Sequence, residues 1–376
     1  MPSPSSPDPG RTVRIVCNWV VGLLVAATLL HLLTLPKEDD GEADETAAES
    51  SHVWQRSVPL TRVAQSEVAT NPLDAGRAMG YLRAICEIGP RISGTEGMRL
   101  QQKLVQDHFE PLADELEFQR FAVPHPKRRS QRVPMANVIA RWRPAAPDRL
   151  LLCAHYDTRP LPDQDPDRRK RRTGVFIGAN DGGSGVAVLM ELAHLMHDRF
   201  DAEATDPNVG VDFVLFDGEE LVYPDDRNPK YFWGSQQFGL EYAKRRPLPA
   251  TLDREATEWS YKAAVLLDMV ADADLQVYWE RHSFEWRQSR PIAREVWEVA
   301  EELGVEEFIP RVKHTVLDDH LALRKFGGIR AIDVIDFDYP YWHTTEDTVD
   351  KCSGESMAKV GWVAWEWLLD RASGGP

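Results

Sequence analysis

Val211-Asp212-Phe213-Val214-Leu215-Phe216-Asp217-Gly218-Glu219-Glu220 is the stretch that decides the fold class of this 376-residue chain. Residues 211–216 are mostly apolar and predict a buried strand. Glu219 and Glu220 follow where that strand ends, and two adjacent carboxylates are costly there unless a cation meets them. The stretch therefore predicts a sheet whose strand ends carry a cation site.

The rest of the chain alternates apolar runs with helical patterns. The apolar runs predict strands at residues 118–123, 137–142, 149–154, 263–267 and 330–335. Apolar residues at helical spacing and flanking breaks predict helices at residues 71–85, 98–112, 184–200, 291–303 and 353–369. Continuous apolar strands that alternate with helices indicate an α/β sheet covered by helices on both faces.

Side chains suited to metal binding recur at the ends of the predicted strands and in the loops after them. They are His155 and Asp157, Asp181, Glu219 and Glu220, Asp268, and His343. In open α/β sheets, sites form beyond the carboxyl ends of the strands. Taken alone, Asp181 fits a helix N-cap, and His343 fits an ordinary surface or core histidine. Taken together, mixed histidine and carboxylate ligands predict a zinc site.

Composition limits the partners of the protein. Its 43% hydrophobic and 28% charged residues are ordinary for a globular protein. The formal net charge of -16 argues against nucleic acid as the main partner.

The N-terminal region predicts a membrane anchor. Residues 1–14 are rich in proline and serine and predict a disordered segment, and residues 15–35 contain no charged residue. At 1.5 Å per residue the second segment spans roughly 30 Å of hydrocarbon. An acidic linker follows at 36–56, so the charge pattern places the catalytic domain, residues 57–376, outside the cytoplasm. A cleaved signal peptide is the alternative.

The motifs resemble the M28 family of zinc aminopeptidases and its glutaminyl-peptide cyclotransferase branch. The matching segments, in the family order, are Gly89-Pro90-Arg91, Gly94-Thr95-Glu96-Gly97, His155-Tyr156-Asp157, Ala179-Asn180-Asp181, Asp217-Gly218-Glu219-Glu220, Leu267-Asp268 and Trp342-His343. The resemblance covers about residues 70–370. It implies a three-layer α/β/α sandwich with a central, mostly parallel mixed sheet.

The two branches of the family imply different roles for the same residues. In the cyclotransferases, Asp181, Glu220 and His343 would hold one zinc ion. Glu219 would shuttle a proton, supported by Asp268 and Asp318. In the aminopeptidases Asp181 would bridge two zinc ions, one completed by Glu220 and His343 and the other by His155 and Asp268. Glu219 would then be the general base toward a water.

Several features favour the cyclotransferase branch. Leu317-Asp318-Asp319-His320 resembles that branch, where the peptidases more often have a serine in place of the first aspartate. Trp342 resembles the aromatic wall of a glutamine pocket, which Trp233 and Phe337 would complete. Tyr231-Phe232-Trp233-Gly234-Ser235-Gln236 resembles a cyclotransferase loop.

Two features point toward the aminopeptidases. Asp181-Gly182-Gly183-Ser184-Gly185 resembles the two-metal enzymes, and Asp333 stands near a position where the animal cyclotransferases carry a histidine. The sequence thus predicts an enzyme that acts on peptide or protein N-termini, cyclising N-terminal glutamine to pyroglutamate with release of ammonia. A two-zinc aminopeptidase is the alternative, and a binding module without activity is a third hypothesis.

Overall fold

Eight strands are present in the part of the chain that the structure describes. The structure is a computed structural model that describes residues 70–374, except for 129, 225, 227, 228 and 246–258. The strands are β1 (Glu115–Pro124), β2 (Arg132–Trp142), β3 (Asp148–His155), β4 (Val209–Phe216), β5 (Ser260–Asp268), β6 (Val277–Trp279), β7 (Phe308–Val312) and β8 (Ala331–Ile335).

Six of these strands form a mixed sheet in the order β1-β2-β4-β3-β5-β8. β4, β3, β5 and β8 run parallel, while β2 is antiparallel to both β1 and β4. β6 and β7 pair separately as a short parallel ribbon. The four parallel strands end at the same edge of the sheet, so the polar residues that follow them are brought to one side of the molecule.

Helices cover both faces of the sheet. They are α1 (Ala75–Glu87), α2 (Glu96–Phe109), α3 (Lys170–Thr173), α4 (Gly185–Arg199), α5 (Trp233–Arg245), α6 (Arg281–Glu285), α7 (Arg290–Leu303), α8 (Asp319–Ala322) and α9 (Gly354–Ala372). Leu150, Leu152 and Ala154 of β3 face a core built with α1, α2, α4, α7 and α9. Leu151 and Cys153 face a second core with α5. The predicted three-layer α/β/α sandwich with a mostly parallel sheet is confirmed.

Each predicted strand and helix described above has its counterpart in the structure, but one helix of the second face was not predicted. α5 begins inside the segment that the sequence suggested was a loop. Its glycines weaken the helical signal, yet close packing requires them. A Cβ on Gly234 would lie 2.4 Å from the Oδ1 atom of Asn137, and one on Gly239 would lie 2.9 Å from the backbone nitrogen of Gly327.

The predicted membrane anchor is corrected. Among the helices that the structure describes, none is both long enough and apolar enough to cross a membrane. Residues 15–35, on which the prediction rested, lie outside the described residues, as do the predicted disordered segment 1–14 and linker 36–56.

Candidate active site

The turn that follows β4 presents two glutamates side by side. Gly218 has a φ of +81°, a conformation that favours glycine. A Cβ there would lie 2.7 Å from the Cε atom of Met135. The carboxylate of Asp157, just beyond β3, accepts hydrogen bonds from the backbone nitrogens of Glu219 (3.0 Å) and Glu220 (3.1 Å). Two neighbouring parallel strands therefore fix the position of both glutamates.

Asp181, Glu220 and His343 form a buried group of potential metal ligands. One ligand atom from each lies within 4.8 Å of the others. The Nε2 atom of His343 is 2.8 Å from Oε1 of Glu220 and 3.4 Å from Oδ2 of Asp181. The exposed fraction of each residue is 4% or less. These are the three residues that the sequence predicted as ligands of a single zinc ion.

His155 and Asp268 form a second group with the same Asp181. The Nε2 atom of His155 is 3.2 Å from Oδ1 of Asp181 and 3.3 Å from Oδ1 of Asp268. His155, Glu219 and Glu220 form a third group, in which one potential ligand atom from each residue lies within 4.8 Å of the others. The structure thus brings all the predicted metal ligands together, and Asp181 belongs to both predicted zinc positions.

The backbone around Asp181 excludes the simpler interpretation of this residue as a helix cap. α4 begins four residues later, and no side chain caps its first turn. The backbone nitrogens of Asn180 and Asp181 donate to the carboxylate of Asp347 at 2.8 and 3.1 Å. A Cβ on Gly182 would lie 2.7 Å from Cε1 of His155. The chain is therefore bent so that the Asp181 carboxylate faces the two histidines.

The His343 ring is held by a carboxylate at its Nδ1 atom and by an aromatic ring stacked on its face. Its φ is +56°, which costs about 1–2 kcal/mol for a residue other than glycine. The Nδ1 atom lies 3.1 Å from Oδ1 of Asp163. A carboxylate at this position orients a ligating histidine and fixes its tautomer. Trp342 stacks on the imidazole, with 3.8 Å between ring centroids.

Arg159 contacts both Glu220 and the carboxylate of Asp163 that orients His343. Its backbone nitrogen and guanidinium donate to the Glu220 carboxylate at 3.0 and 2.9 Å. Its Nε atom lies 3.0 Å from Oδ1 of Asp163. Sequence reasoning missed Arg159, Asp163 and Asp347 as site residues, because none of them stands at the end of a predicted strand.

Three further carboxyl groups adjoin the candidate ligands: Asp318 and Asp319 are buried, and Glu219 is half-buried. Burial raises the pKa of Glu219 well above its usual range, and the charges of Glu220, Asp318 and Asp319 raise it further. Burial and the neighbouring Asp268 and Asp319 do the same to the pKa of Asp318. Burial also raises the pKa of Asp319 to about 7, although Ser235 donates a hydrogen bond to its carboxylate. Burial and repulsion between carboxylates thus raise the pKa values of all three carboxyl groups.

The three predicted aromatic wall residues fall into two places. Phe337 and Trp342 contact each other, with ring centroids 5.1 Å apart, in a cluster that also contains Met269 and Val316. Trp233 packs in a different apolar cluster with Met135, Leu221 and other residues. The structure therefore brings Phe337 and Trp342 together next to His343, while Trp233 lies under the glutamate turn.

Comparison with known proteins identifies the family of this arrangement. Residues 137–368, more than half of the chain, match Peptidase family M28. The chain belongs to peptidase family M28. The family resemblance seen in the motifs, from His155-Tyr156-Asp157 to Trp342-His343, is thereby confirmed.

Similar proteins include glutaminyl cyclases and an exopeptidase. The solved glutaminyl cyclase of Fimbriiglobus ruber is 42% identical, with a TM-score of 0.71, and the match covers 82% of this chain and 99% of that one. A Zn-dependent exopeptidase of Parabacteroides distasonis is 25% identical, with a TM-score of 0.69, over 80% of this chain and 100% of that one. The glutaminyl-peptide cyclotransferase of Bos taurus is 28% identical over 250 residues, which cover 60% of this chain and 64% of the bovine protein. The chain thus spans slightly less than two thirds of that curated relative.

The ligand groups of this M28 protein fit a zinc ion. The Oδ2 atom of Asp181 and the Oδ1 atom of Asp268 are buried and have no hydrogen-bond donor. Buried carboxylate oxygens without a partner are costly. The first two groups together contain two imidazoles and three carboxylates. Zinc accepts such a set of nitrogen and oxygen donors.

The metal-free M28 protein should lose stability as the pH rises. Burial lowers the pKa of His343, but Glu220 and Asp163 outweigh this and raise it to about 9. A histidine whose pKa is higher in the folded state stabilises the fold below its unfolded pKa of about 6.5, and the effect is lost as the pH passes the folded value. We expect the unfolding free energy of chelated protein, measured with urea, to fall by about 3 kcal/mol between about pH 6.5 and pH 9.

A matched variant isolates the contribution of this histidine. His343→Gln has no titratable imidazole, so its metal-free form should lack that part of the pH dependence. A wild-type unfolding free energy that stays flat or rises over the same interval would contradict the assignment.

Proposed function

We propose that this M28 protein is a zinc-dependent glutaminyl-peptide cyclotransferase, which converts the N-terminal glutamine of peptides to pyroglutamate and releases ammonia. The observation that carries the proposal is the cluster of the half-buried Glu219 with the buried Asp318 and Asp319 beside the ligand groups. Cyclisation needs a carboxyl group that accepts a proton and returns it. The similarity to the Fimbriiglobus ruber glutaminyl cyclase over 99% of its length supports the same function.

Asp181, Glu220 and His343 would hold one zinc ion in this reaction. The chemistry that zinc supplies when bound is Lewis acidity toward the γ-carbonyl group of the substrate. Arg159 and Asp163 keep Glu220 and His343 in place through the contacts described above.

Glu219 would move the proton. The substrate's α-amine attacks the γ-carbonyl carbon, and a new C–N bond closes the lactam ring. Glu219 takes a proton from that amine and delivers it to the γ-nitrogen, whose bond to carbon then breaks, so that ammonia leaves. A raised pKa suits this role, because a general base and acid works best when its pKa is near the working pH.

The remaining residues would hold the substrate and assist Glu219. Asp268 and Asp318 would form the acid network that supports the proton transfer by Glu219. Phe337 and Trp342 would form the wall for the glutamine side chain beside His343. An apolar wall also keeps water away from the carbonyl carbon, where hydrolysis would release ammonia but leave an uncyclised N-terminal glutamate residue on the peptide.

A two-zinc aminopeptidase is the second candidate. The group formed by His155, Asp181 and Asp268 favours it, because it offers a second set of metal ligands next to the first. The similarity to the Zn-dependent exopeptidase also favours it. In this reaction Glu219 would take a proton from the attacking water.

Two assays and one measurement on the same sample test the proposal. We expect purified protein with zinc to release ammonia from a Gln-initiated peptide and to show no hydrolysis of leucine p-nitroanilide. Zinc quantified by mass spectrometry should approach one ion per chain. Hydrolysis without ammonia release, together with two zinc ions per chain, would establish the aminopeptidase instead.

A further inference from the structure

A cavity with a basic wall lies beside the candidate active site. Its volume is about 1020 Å³. The cationic side chains in its wall are Lys127, Arg168, Arg169, Arg171 and Arg172. Asp163 supplies a carboxylate to the same wall. A chain with a formal net charge of -16 thus gathers five cations around one cavity.

Three of the five cationic side chains in this wall lack an ion pair within the part of the chain that the structure describes. Among the described residues, Arg168, Arg169 and Arg172 have no carboxylate within ion-pair distance of their guanidinium groups. Arg171 donates to the backbone oxygen of Asp165. The carboxylate of Asp163 is already engaged by other residues of the site. The wall therefore retains the capacity to bind an anionic ligand.

The loop that carries the arginines is fastened to the segment around His343. The carboxylate of Asp165 accepts hydrogen bonds from the backbone nitrogen of Thr345 at 3.0 Å and from its hydroxyl at 2.7 Å. The backbone nitrogen of Gln164 donates to the carbonyl of His343 at 3.1 Å. These contacts attach the basic loop directly to the segment that carries His343.

Asp163 connects the cavity with the chemistry. It lines the cavity, and its Oδ1 atom lies 3.1 Å from Nδ1 of His343. The other ring nitrogen of that histidine is 2.8 Å from Glu220. An extended peptide advances roughly 3.3–3.6 Å per residue. A peptide whose first residue occupies the ligand groups, and whose chain extends past Asp163, would have its next few residues at the basic wall.

We propose that this cavity binds acidic side chains at the second to fourth positions of the peptide substrate, a proposal that rests on the function proposed above. Guanidinium groups pair with carboxylates through two parallel hydrogen bonds, a geometry that recognises aspartate and glutamate well. A long polyanion such as a nucleic acid fits less well, because the net negative charge of the chain opposes its approach.

Matched peptides and matched variants test the proposal. The substrates are the amides of Gln-Glu-Glu-Ala and Gln-Gln-Gln-Ala. The test variant is Arg168→Gln with Arg172→Gln, and the control, with the same change of charge, is Arg99→Gln with Lys103→Gln on the exposed face of α2. We expect wild-type kcat/KM to be about tenfold higher for the acidic peptide, as two partly screened ion pairs would produce. The test variant should lose this preference through KM, and the control should keep it.

Equal kcat/KM values for the two peptides in the wild-type protein would overturn the proposal, as would a preference that survives in the test variant. A single-stranded oligonucleotide that displaces the acidic peptide at lower concentration than the peptide itself would overturn it in favour of a nucleic acid. If neither peptide releases ammonia, the proposed function fails. Calorimetric measurement of the binding of both peptides to zinc-loaded protein then tests the role of the cavity separately. A higher affinity for the acidic peptide that the test variant loses supports the proposed role, and equal affinities overturn it.

Discussion

Glu219→Gln lowers kcat on a Gln-initiated peptide by about 10³-fold, the middle of the range for the loss of a general acid–base. The substitution preserves the size of the side chain and removes its ability to accept a proton. Zinc content and KM should change little, because Glu219 is outside the group formed by Asp181, Glu220 and His343. Steady-state ammonia release and metal quantification on the same preparation measure both effects.

A surface glutamate provides the control for this prediction. Glu302 is exposed on α7, so Glu302→Gln should leave kcat unchanged. If Glu219→Gln keeps kcat within about threefold of the wild-type value, Glu219 does not move the proton.

Asp181→Asn should remove both zinc and activity, whichever metal count holds, because Asp181 belongs to both ligand groups. We expect less than about one tenth of the wild-type zinc per chain and a loss of about 10³-fold in kcat/KM, which is what several kcal/mol of Lewis-acid stabilisation amount to. Asp198 is exposed on α4, and Asp198→Asn is the matched control. A variant that retains zinc and activity would exclude Asp181 as a ligand.

Asp181→Asn has a second, opposite effect that ordinary misfolding would not produce. Burial, followed by the charge of Glu220, raises the pKa of Asp181 to about 6 in the metal-free protein. An acid whose pKa is higher in the folded state destabilises the fold once the pH exceeds that value. At pH 8 the chelated variant should therefore resist urea better than the chelated wild type, by at most about 3 kcal/mol. A less stable variant would contradict this account.

The location of the ligands was predictable because it follows from strand geometry. Parallel strands end at the same edge of a sheet, so polar residues placed directly after β3, β4 and β5 must meet. This accounts for His155, Glu220 and Asp268. His343 and Asp181 lie in longer loops, and their inclusion depended on the other candidate ligands that accompany them in the sequence.

The residues that orient the ligands were not predictable in the same way. Arg159 contacts Glu220 across 61 residues of sequence, and Asp347 contacts Asp181 across 166. No periodicity marks such contacts, since they depend on the paths of long loops. The surroundings of Trp233 also depend on tertiary contacts, because this residue packs with Met135 and Leu221 in an apolar cluster separate from that of Phe337 and Trp342.

The sequence by itself determined the layers of the fold, the edge of the sheet that carries the candidate zinc ligands, and the family, because the periods of strands and helices and the residues at strand ends are local properties. The tertiary structure decided which carboxyl groups lie near one another, which side chains contact the candidate ligands, and where the basic run 168–172 lies. Those properties arise from burial and from contacts between distant segments. The pair Glu219 and Glu220 shows the division, because their order is local but their surroundings separate their pKa values. Burial raises the pKa of Glu219, while the charges of His343 and Arg159 lower that of Glu220 against the effect of burial.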